Sequence, residues 1–319
     1  MAIQSQRHDP KSEGDLDLLT LLRLARSYSA TDAKDKVYSI LAAAVDDQDR
    51  GLRPDYSRPT DEIYVDLAMH LINRDRTLDV LGFCDMDSNT FGLPSWVPDW
   101  SSNPRRWHLC KRPLRPGGFY SKVYNANKGS VARAQFSPDH RVLRIEGFMF
   151  DDVSQAAKAR TGTSDEDVAH DWACTALADD SLEYIGGGTR LNAFQHTLRA
   201  DVEEDNARFS YRGASITWPE RVDGEYSSSV FQNPNIVNKM TCGRRLIKTS
   251  SGYVGIVPSY TEPGDIVCIL SGGQTPFILR EEEHHHLLVG ECYIHGIMDG
   301  EAVNAFDEGN GRRSVFDIW

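Results

Sequence analysis

The sequence predicts an α+β protein: an N-terminal helical region, then mixed β hairpins and helices, and a small antiparallel β barrel at the C-terminus. Three observations lead to this prediction. Apolar residues recur at helical spacing between residues 15 and 72. A segment rich in proline and tryptophan, residues 93–100, then ends the helical pattern. After residue 241, short apolar runs separated by turns follow one another about every ten residues.

The composition is that of an ordinary soluble globular protein. The 319 residues are 40% hydrophobic and 26% charged, and 35 basic against 47 acidic residues give a net charge of −12. Because excess negative charge repels phosphate backbones, nucleic acid is not expected as a partner. The chain has no apolar run long enough for a spanning helix and no secretory signal at its start. We therefore expect a cytoplasmic protein without a membrane partner.

The cysteines and histidines show no metal-binding pattern. None of the six cysteines stands in a C-x-x-C pair, and their wide spacing fits neither zinc nor iron–sulfur sites. This usage indicates free thiols in a reducing compartment. The run from His284 to His286 follows three glutamates, and consecutive strand residues point alternately, which favours an exposed hairpin tip over a metal site. The sequence thus predicts neither a metal nor a cofactor.

Three helices are predicted in the first third. The first begins near Asp15, the second can be capped by Thr31 or Asp32, and the third has Pro59 in its first turn, where a missing N–H costs little. Their apolar faces comprise Leu18, Leu19, Leu21, Leu22 and Ala25, then Val37, Ile40, Leu41 and Ala44, then Ile63, Leu67 and Leu71.

The middle of the chain mixes strands and helices. Residues 93–100 contain two prolines and two tryptophans and are expected to form a rigid extended passage that packs on the helical core. Strands are predicted at 118–124, 130–136 and 142–153, with a hairpin turn at 137–140. Helices are predicted from 164 to about 176 and from 191 to 204, followed by a loop at 210–235.

Five strands are predicted in the last third, at 245–249, 253–257, 265–270, 276–280 and 287–294. The predicted organisation is a disordered tail at 1–14, a helical and mixed core region at 15–209, a loop at 210–240, and a small barrel-like module with a C-terminal tail at 241–319.

The densest group of titratable residues lies at 290–301 and supplies the candidate catalytic residues. If 291–294 is a strand, Glu291 and Tyr293 share one face, and His295 follows at the strand end with Asp299 just beyond. Because histidine titrates near neutral pH, this group could perform acid–base chemistry. The alternative is a histidine with satisfied hydrogen bonds at the lip of the barrel.

A second candidate surface follows the tryptophan–proline segment. The two indoles supply rigid aromatic area, Asp99 can accept an indole N–H, and the basic residues beyond it could contact an anion. An architectural role for the indoles is the alternative. The candidate ligand-binding residues are Trp96, Trp100, Asp99, Arg105, Arg106 and His108.

Four passages resemble the fungal heterokaryon incompatibility (HET) family. They are residues 30–41, which depart from the family pattern at Ala33 and Lys34, residues 54–64, the octapeptide at 93–100, and a set of turns and strands at 243–302. The resemblance implies that the HET domain proper, a TIR-like α/β unit linked to programmed cell death, lies upstream of the first passage. The chain is accordingly expected to be the C-terminal region of such a protein, without that signalling half.

Three possibilities remain open, one of which is a truncated relic with no activity. The first is a binding or regulatory module related to heterokaryon incompatibility, with a small molecule or a protein as partner. The alternative is a HET-derived scaffold recruited as a cofactor-independent enzyme of fungal secondary metabolism, such as a cyclase, a Diels–Alderase-like pericyclase or an isomerase, which would act through a shaped apolar pocket. For either function, we expect a ligand in a cleft between the helical part and the barrel.

Overall fold

The computed structural model describes residues 17–41, 52–86, 89–102, 106–109, 112–113, 120–121, 124–162, 165–178, 183–202 and 235–319. Helices come first along the chain, and a mixed sheet whose strands close on themselves follows. The predicted α+β class is confirmed.

The three predicted N-terminal helices are confirmed: α1 at Leu18–Ala25, α2 at Asp35–Leu41 and α3 at Thr60–Asp75. The carboxylate of Asp17 accepts the N–H of Thr20 at 2.8 Å and caps α1. At the other end of this region, α3 ends where Arg76 adopts a left-handed conformation, and a 3₁₀ helix at Asp79–Phe83 follows.

Eleven strands are described. They are β1 Arg112–Pro113, β2 Tyr120–Ser121, β3 Gln135–Phe136, β4 Leu143–Ala156, β5 Arg244–Thr249, β6 Val254–Pro258, β7 Ile266–Leu270, β8 Phe277–Glu281, β9 His286–Glu291, β10 Tyr293–Ile294 and β11 Ser314–Ile318. The remaining helices are α4 Asp165–Leu177, α5 Arg190–Arg199, α6 Asn235–Thr241 and α7 Glu301–Glu308.

Strand β4 organises the barrel, because it pairs antiparallel with β5 on one edge and with β7 on the other. From β7 the antiparallel pairing continues through β8 to β9, and from β5 it continues through β6 to β10. One residue, Cys292, separates β9 from β10, so the circuit closes. A buried cluster draws on every strand of this circuit: Phe148, Val153, Ile247, Val257, Val267, Ile269, Ile278, Val289, Cys292 and Ile294.

The structure differs from the predicted C-terminal barrel in two respects. Strand β4 comes from the middle of the chain, within the region predicted as helical and mixed. Strand β11 joins the sheet by antiparallel pairing with β4 and by one parallel pairing with β9, between Ile318 and His286. The sheet is therefore mixed rather than wholly antiparallel.

Two helical layers cover two different sets of barrel strands. Helices α1–α3, the 3₁₀ helix and residues 93–100 share one buried cluster with β4, β7, β8, β9 and β11. Helices α4, α5 and α6 share another with β5, β6 and β10. Helix α7 completes the barrel cluster, where Phe306 stacks on Phe148 with ring centroids 4.0 Å apart. Barrel strands buried on both faces explain the uninterrupted apolar runs of β6 and β7.

Several local predictions can be compared with these elements. The hairpin turn at 137–140 is confirmed, since Phe136 pairs with Leu143. The run 130–136 forms a strand only at its last two residues, and helix α5 ends at Arg199 rather than at 204. The predicted tail at 1–14 and most of the predicted loop at 210–240 lie outside the described residues, while α6 occupies the end of that loop. No helix in the described part of the chain is long and apolar enough to cross a membrane.

Candidate functional site

His295 lies directly after β10, at the contact between the barrel and α5. Its side chain is buried, and its Nδ1 hydrogen-bonds to the Tyr293 hydroxyl at 2.9 Å. The hydroxyl of Tyr184 donates to the backbone carbonyl of His295 at 2.9 Å and accepts the N–H of Val254 at 3.0 Å. These bonds fix the strand end and the imidazole in one arrangement.

The partner of His295 across this contact is a second histidine. His196, on α5, stacks on His295 with ring centroids 5.3 Å apart and an angle of 24° between the planes. Its Nδ1 donates to a carboxylate oxygen of Asp201 at 2.7 Å. We call Tyr184, His196, Asp201, Tyr293 and His295 the histidine cluster.

The backbone at the end of α5 places the Asp201 carboxylate beside His196. Ala200 and Asp201 adopt left-handed conformations, with φ of 48° and 55°, and the N–H of Asp201 donates to the carbonyl of His196 at 3.0 Å. The Tyr124 hydroxyl donates to the Ala200 carbonyl at 2.5 Å and holds this turn against the barrel side. Non-glycine residues seldom adopt this conformation, so the surrounding structure enforces it.

Burial shifts the pKa of two members of the cluster, His295 and Tyr184. It lowers the pKa of His295 to about 4, the neighbouring His196 lowers it further, and Asp201 acts in the opposite direction. Burial also raises the pKa of the Tyr184 phenol. At neutral pH His295 is therefore an uncharged imidazole beside the uncharged phenol of Tyr184.

Chemically, the cluster contains the components of a general acid–base site. The Asp201 carboxylate orients one imidazole through its Nδ1, as carboxylates do in catalytic histidine pairs, and the neutral His295 lies next to the Tyr293 hydroxyl. No group of three or more histidine, cysteine, aspartate or glutamate side chains in the described part of the chain could hold a metal ion.

The structure separates Glu291 from the other predicted catalytic residues. Its carboxylate accepts the backbone N–H of Leu109 at 2.5 Å and lies 3.5 Å from the guanidinium of Arg244. Both charged side chains are fully buried, and Arg244 also donates to the carbonyl of Trp107 at 2.7 Å. These contacts tie residues 106–109 to the barrel, an arrangement that suits a structural ion pair.

Asp299 is exposed and lies before α7, where its backbone N–H donates to the Glu301 carboxylate at 2.7 Å. Of the four predicted catalytic residues, the structure therefore places Tyr293 and His295 in hydrogen-bond contact, and Glu291 in a separate buried pair. The predicted sharing of faces agrees with the clusters, since Cys292 and Ile294 enter the barrel cluster and Tyr293 enters the α4–α6 cluster.

Both predicted ligand-binding indoles are fully buried. Trp96 packs on Phe136, and its Nε1 donates to the carbonyl of Arg141 at 3.1 Å. The carbonyl of Arg141, and not Asp99, is therefore the acceptor of the Trp96 indole N–H. The Asp99 carboxylate instead accepts the N–H and the hydroxyl of Ser101, at 2.9 and 2.5 Å, and so fixes the turn that follows the octapeptide.

The predicted basic cluster binds backbone carbonyls. Arg106 donates to the carbonyl of Cys84 at 2.7 Å, and the Nδ1 of His108 donates to the carbonyl of Gly82 at 2.7 Å. Burial lowers the pKa of His108, and the nearby Arg26 lowers it further. Arg105 lies outside the described residues. Because backbone carbonyls occupy these donors, an anion site here stays a prediction.

A groove does lie between the octapeptide and the barrel, with a volume of about 160 Å³. Pro94, Ser95 and Val97 line it on one side, and Leu287 and Trp319 on the other. The histidine cluster lies in the other helical layer, so the structure does not combine the indoles and His295 in one cleft.

The comparisons with known proteins match the barrel and the layers around it. Residues 195–312 match the Het-6 beta-barrel domain, a region that includes His196, Asp201 and His295. The chain is also 24% identical to heterokaryon incompatibility protein 6, OR allele, of Neurospora crassa, over 85% of this chain and 49% of that protein. The chain thus spans about half the length of this curated relative. No solved structure matches. The barrel match and the similarity along most of the chain relate it to the Het-6 proteins.

Proposed function

We propose that this chain is a recognition module of heterokaryon incompatibility, which binds a partner through its folded surface. One observation carries the proposal: its similarity to heterokaryon incompatibility protein 6 extends over 85% of the chain, well beyond the barrel. Helical layers and barrel together correspond to one half of that relative. A unit of this size that is shared as a whole acts as a folded module rather than as a linker.

The packing supports a binding role. The barrel is covered on two faces by helices, so its loops and the groove beside Ser95 are held by rigid elements. Binding residues carried on loops of a rigid scaffold are typical of recognition proteins. The partner in this proposal is a protein, because the groove of about 160 Å³ accepts a side chain more readily than a whole metabolite.

The test is a heterokaryon assay in a fungal host. Strains that express the chain are paired with strains that lack it, and the growth of the fused mycelium is measured against self-pairings. The proposal predicts reduced growth of unlike pairs only. Equal growth of like and unlike pairs, with the chain expressed and folded, would contradict it.

The matched control is Gly255→Val. A Cβ at position 255 would lie 2.4 Å from the carbonyl oxygen of Tyr293, so this variant cannot keep the β6–β10 pairing. It should be expressed at a comparable level and give no effect in unlike pairs, if the intact barrel is what the partner recognises.

A cofactor-independent enzyme is the second candidate, and the histidine cluster is the observation that favours it. The pair of His196 and Asp201 beside His295 and Tyr293 could move a proton of a bound ligand. Native mass spectrometry of protein from a fungal host would reveal a co-purified small molecule. His295→Ala should then lower turnover at least tenfold while the fold persists, whereas a purely structural histidine would change only the melting temperature.

A further inference from the structure

A second groove, with a volume of about 410 Å³, lies where the chain passes from α1 to α2. The connection at 26–33 forms most of its wall, Lys36 of α2 lines it, and Phe91 and Ser101 complete it from either side of the octapeptide. We call it the α1–α2 groove. It shares no lining residue with the groove beside Ser95, and its size is that of pockets that bind small molecules.

The ammonium group of Lys36 is held in place in this groove. Only 9% of the residue is exposed, and its Nζ donates to the carbonyl of Arg26 at 3.1 Å and to the carbonyl of Tyr28. Because an ammonium has three N–H donors, these two bonds leave one for a further acceptor. Both carbonyls are neutral, so they fix the position of the charge without neutralising it.

A second buried cation adds to the positive charge of the α1–α2 groove. Arg26 also lines it, is only 4% exposed, and donates to three backbone carbonyls at 2.8–3.0 Å. Asp85 and Asp99 act favourably on this guanidinium. Burial lowers the pKa of Lys36, and the charge of Arg26 lowers it further. A buried cation opposed by another cation is stabilised by an anion that binds beside it.

Carboxylates near the α1–α2 groove are engaged with other donors. Asp32, in the connection, accepts the backbone N–H of Lys34 at 2.9 Å. Asp99 accepts the N–H and the hydroxyl of Ser101, at 2.9 and 2.5 Å. Neither contact involves Lys36, whose hydrogen bonds within the described residues go to the two carbonyls. An anion from solution can therefore take the remaining donor.

We propose that the α1–α2 groove binds a small organic anion with an aromatic ring, whose carboxylate or phosphate group accepts the remaining N–H of Lys36. The exposed hydroxyls of Ser29 and Thr31 line the same groove and can donate to the anionic group. Tyr28, which is 72% exposed, and the half-buried Phe91 supply aromatic surface for the ring. The inference goes beyond the recognition role, because it adds a small-molecule site to a module that we propose binds a protein.

The experiment is a titration of the full chain with phenyl phosphate, benzoate and benzyl alcohol, followed by ligand-observed NMR. The first two probes carry a ring and a negative charge, and the third carries a ring alone. We expect at least one of the anions to bind, and benzyl alcohol to bind at least roughly tenfold more weakly, because it forms no charge-assisted hydrogen bond. The tighter of the two anions identifies phosphate or carboxylate as the preferred group.

The lysine is tested by Lys36→Met, which keeps the apolar stem and removes the charge. The affinity for the bound anion should fall roughly tenfold or more. Lys34→Met is the matched control: Lys34 lies two residues earlier and does not line the groove, and its Nζ donates to the carbonyl of Tyr56 at 2.8 Å. This control should leave the affinity nearly unchanged.

A second variant is needed because Lys36 also holds the connection at 26–33. Thr31→Glu places a carboxylate at an exposed position of the groove wall, so it should lower the anion affinity by a similar factor and leave the melting temperature nearly unchanged. If Lys36→Met does not fold, this variant decides.

The inference is overturned if neither anion binds, if benzyl alcohol binds as tightly as the anions, or if Thr31→Glu or a folded Lys36→Met keeps the affinity of the unchanged chain. An equal loss in Lys34→Met would also overturn it, because the effect would then be one of general charge. None of these results bears on the heterokaryon assay, so the recognition role stands or falls separately.

Discussion

At the scale of single residues, we expect a buried ion pair to matter more for the stability of this protein than an exposed one. Arg244 and Glu291 are both fully buried, and each also bonds a backbone group of residues 106–109. Arg144 and Asp317, in contrast, form an ion pair with side chains 47% and 39% exposed. Removing one member of a buried pair leaves the other charge buried without a counter-charge, which lowers stability. The partner of an exposed pair is hydrated after the same change and costs little.

We therefore expect Glu291→Ala to lower the free energy of unfolding by about 3–5 kcal/mol. Asp317→Ala, the matched exposed change, should cost less than about 1 kcal/mol. Urea denaturation of both variants measures the difference. A loss for Glu291→Ala as small as that for Asp317→Ala would refute the structural role and return Glu291 to the candidate catalytic residues.

Arg76 offers a stabilising change at the same scale. It ends α3 with φ of 53°, and its side chain is exposed. Glycine adopts this conformation without a Cβ penalty, so Arg76→Gly should raise the free energy of unfolding by roughly 0.5–1 kcal/mol. Thermal melting checks this. A lower melting temperature would show that the arginine side chain stabilises the helix end by more than its backbone conformation costs.

At the scale of elements, the octapeptide connects two barrel strands that pair at only one position. Strands β9 and β11 pair between His286 and Ile318. Next to this pairing, Ser95 bridges the two chain segments through hydrogen bonds. Its hydroxyl accepts the N–H of Leu288 at 2.8 Å and donates to the carbonyl of Trp319. A serine from the helical layer thus takes the place of a strand partner.

Ser95→Ala should consequently destabilise the protein by about 1–2 kcal/mol, because the Leu288 N–H loses its acceptor in a partly buried position. Ser154→Ala removes a hydroxyl that is exposed on β4 and should change stability by less than about 0.5 kcal/mol. Equal effects of the two changes in urea denaturation would show that the Ser95 bridge adds nothing.

The elements also show which parts of the fold can be predicted from local sequence patterns. Helices α1–α3, α4 and the strands after residue 243 follow from periodicity, because each has an apolar face and recognisable ends. The participation of β4 and β11 in the barrel did not follow, since strand pairing between distant segments leaves no local pattern. Likewise, Tyr293 and His295 were found in their motif, but His196 and Asp201 come from a helix end whose position depends on tertiary packing.

At the scale of the whole molecule, two buried imidazoles link stability to pH. Burial lowers the pKa of both His108 and His295, to about 4 for the latter. Unfolding lets each bind a proton at its ordinary pKa, so the unfolded state gains protons as the pH falls below 6.5. His295 alone should cost about 3 kcal/mol of stability between pH 6.5 and 4.

The urea midpoint should accordingly fall steadily over this range, and His295→Gln should flatten part of the slope. Denaturation curves at several pH values measure both effects. A midpoint that does not change between neutral pH and about pH 5 would mean that neither histidine is held neutral by the fold.

The most direct measurement of the central claim is an exchange of recognition specificity. Residues 17–319 replace the matched half of the Neurospora crassa relative, and the chimera is paired with the strains that are incompatible with its parent. If this half is the recognition module, the chimera should change which strains are rejected while it is expressed and folded. A chimera that rejects the same strains as its parent would contradict the claim, because recognition would then lie in the other half.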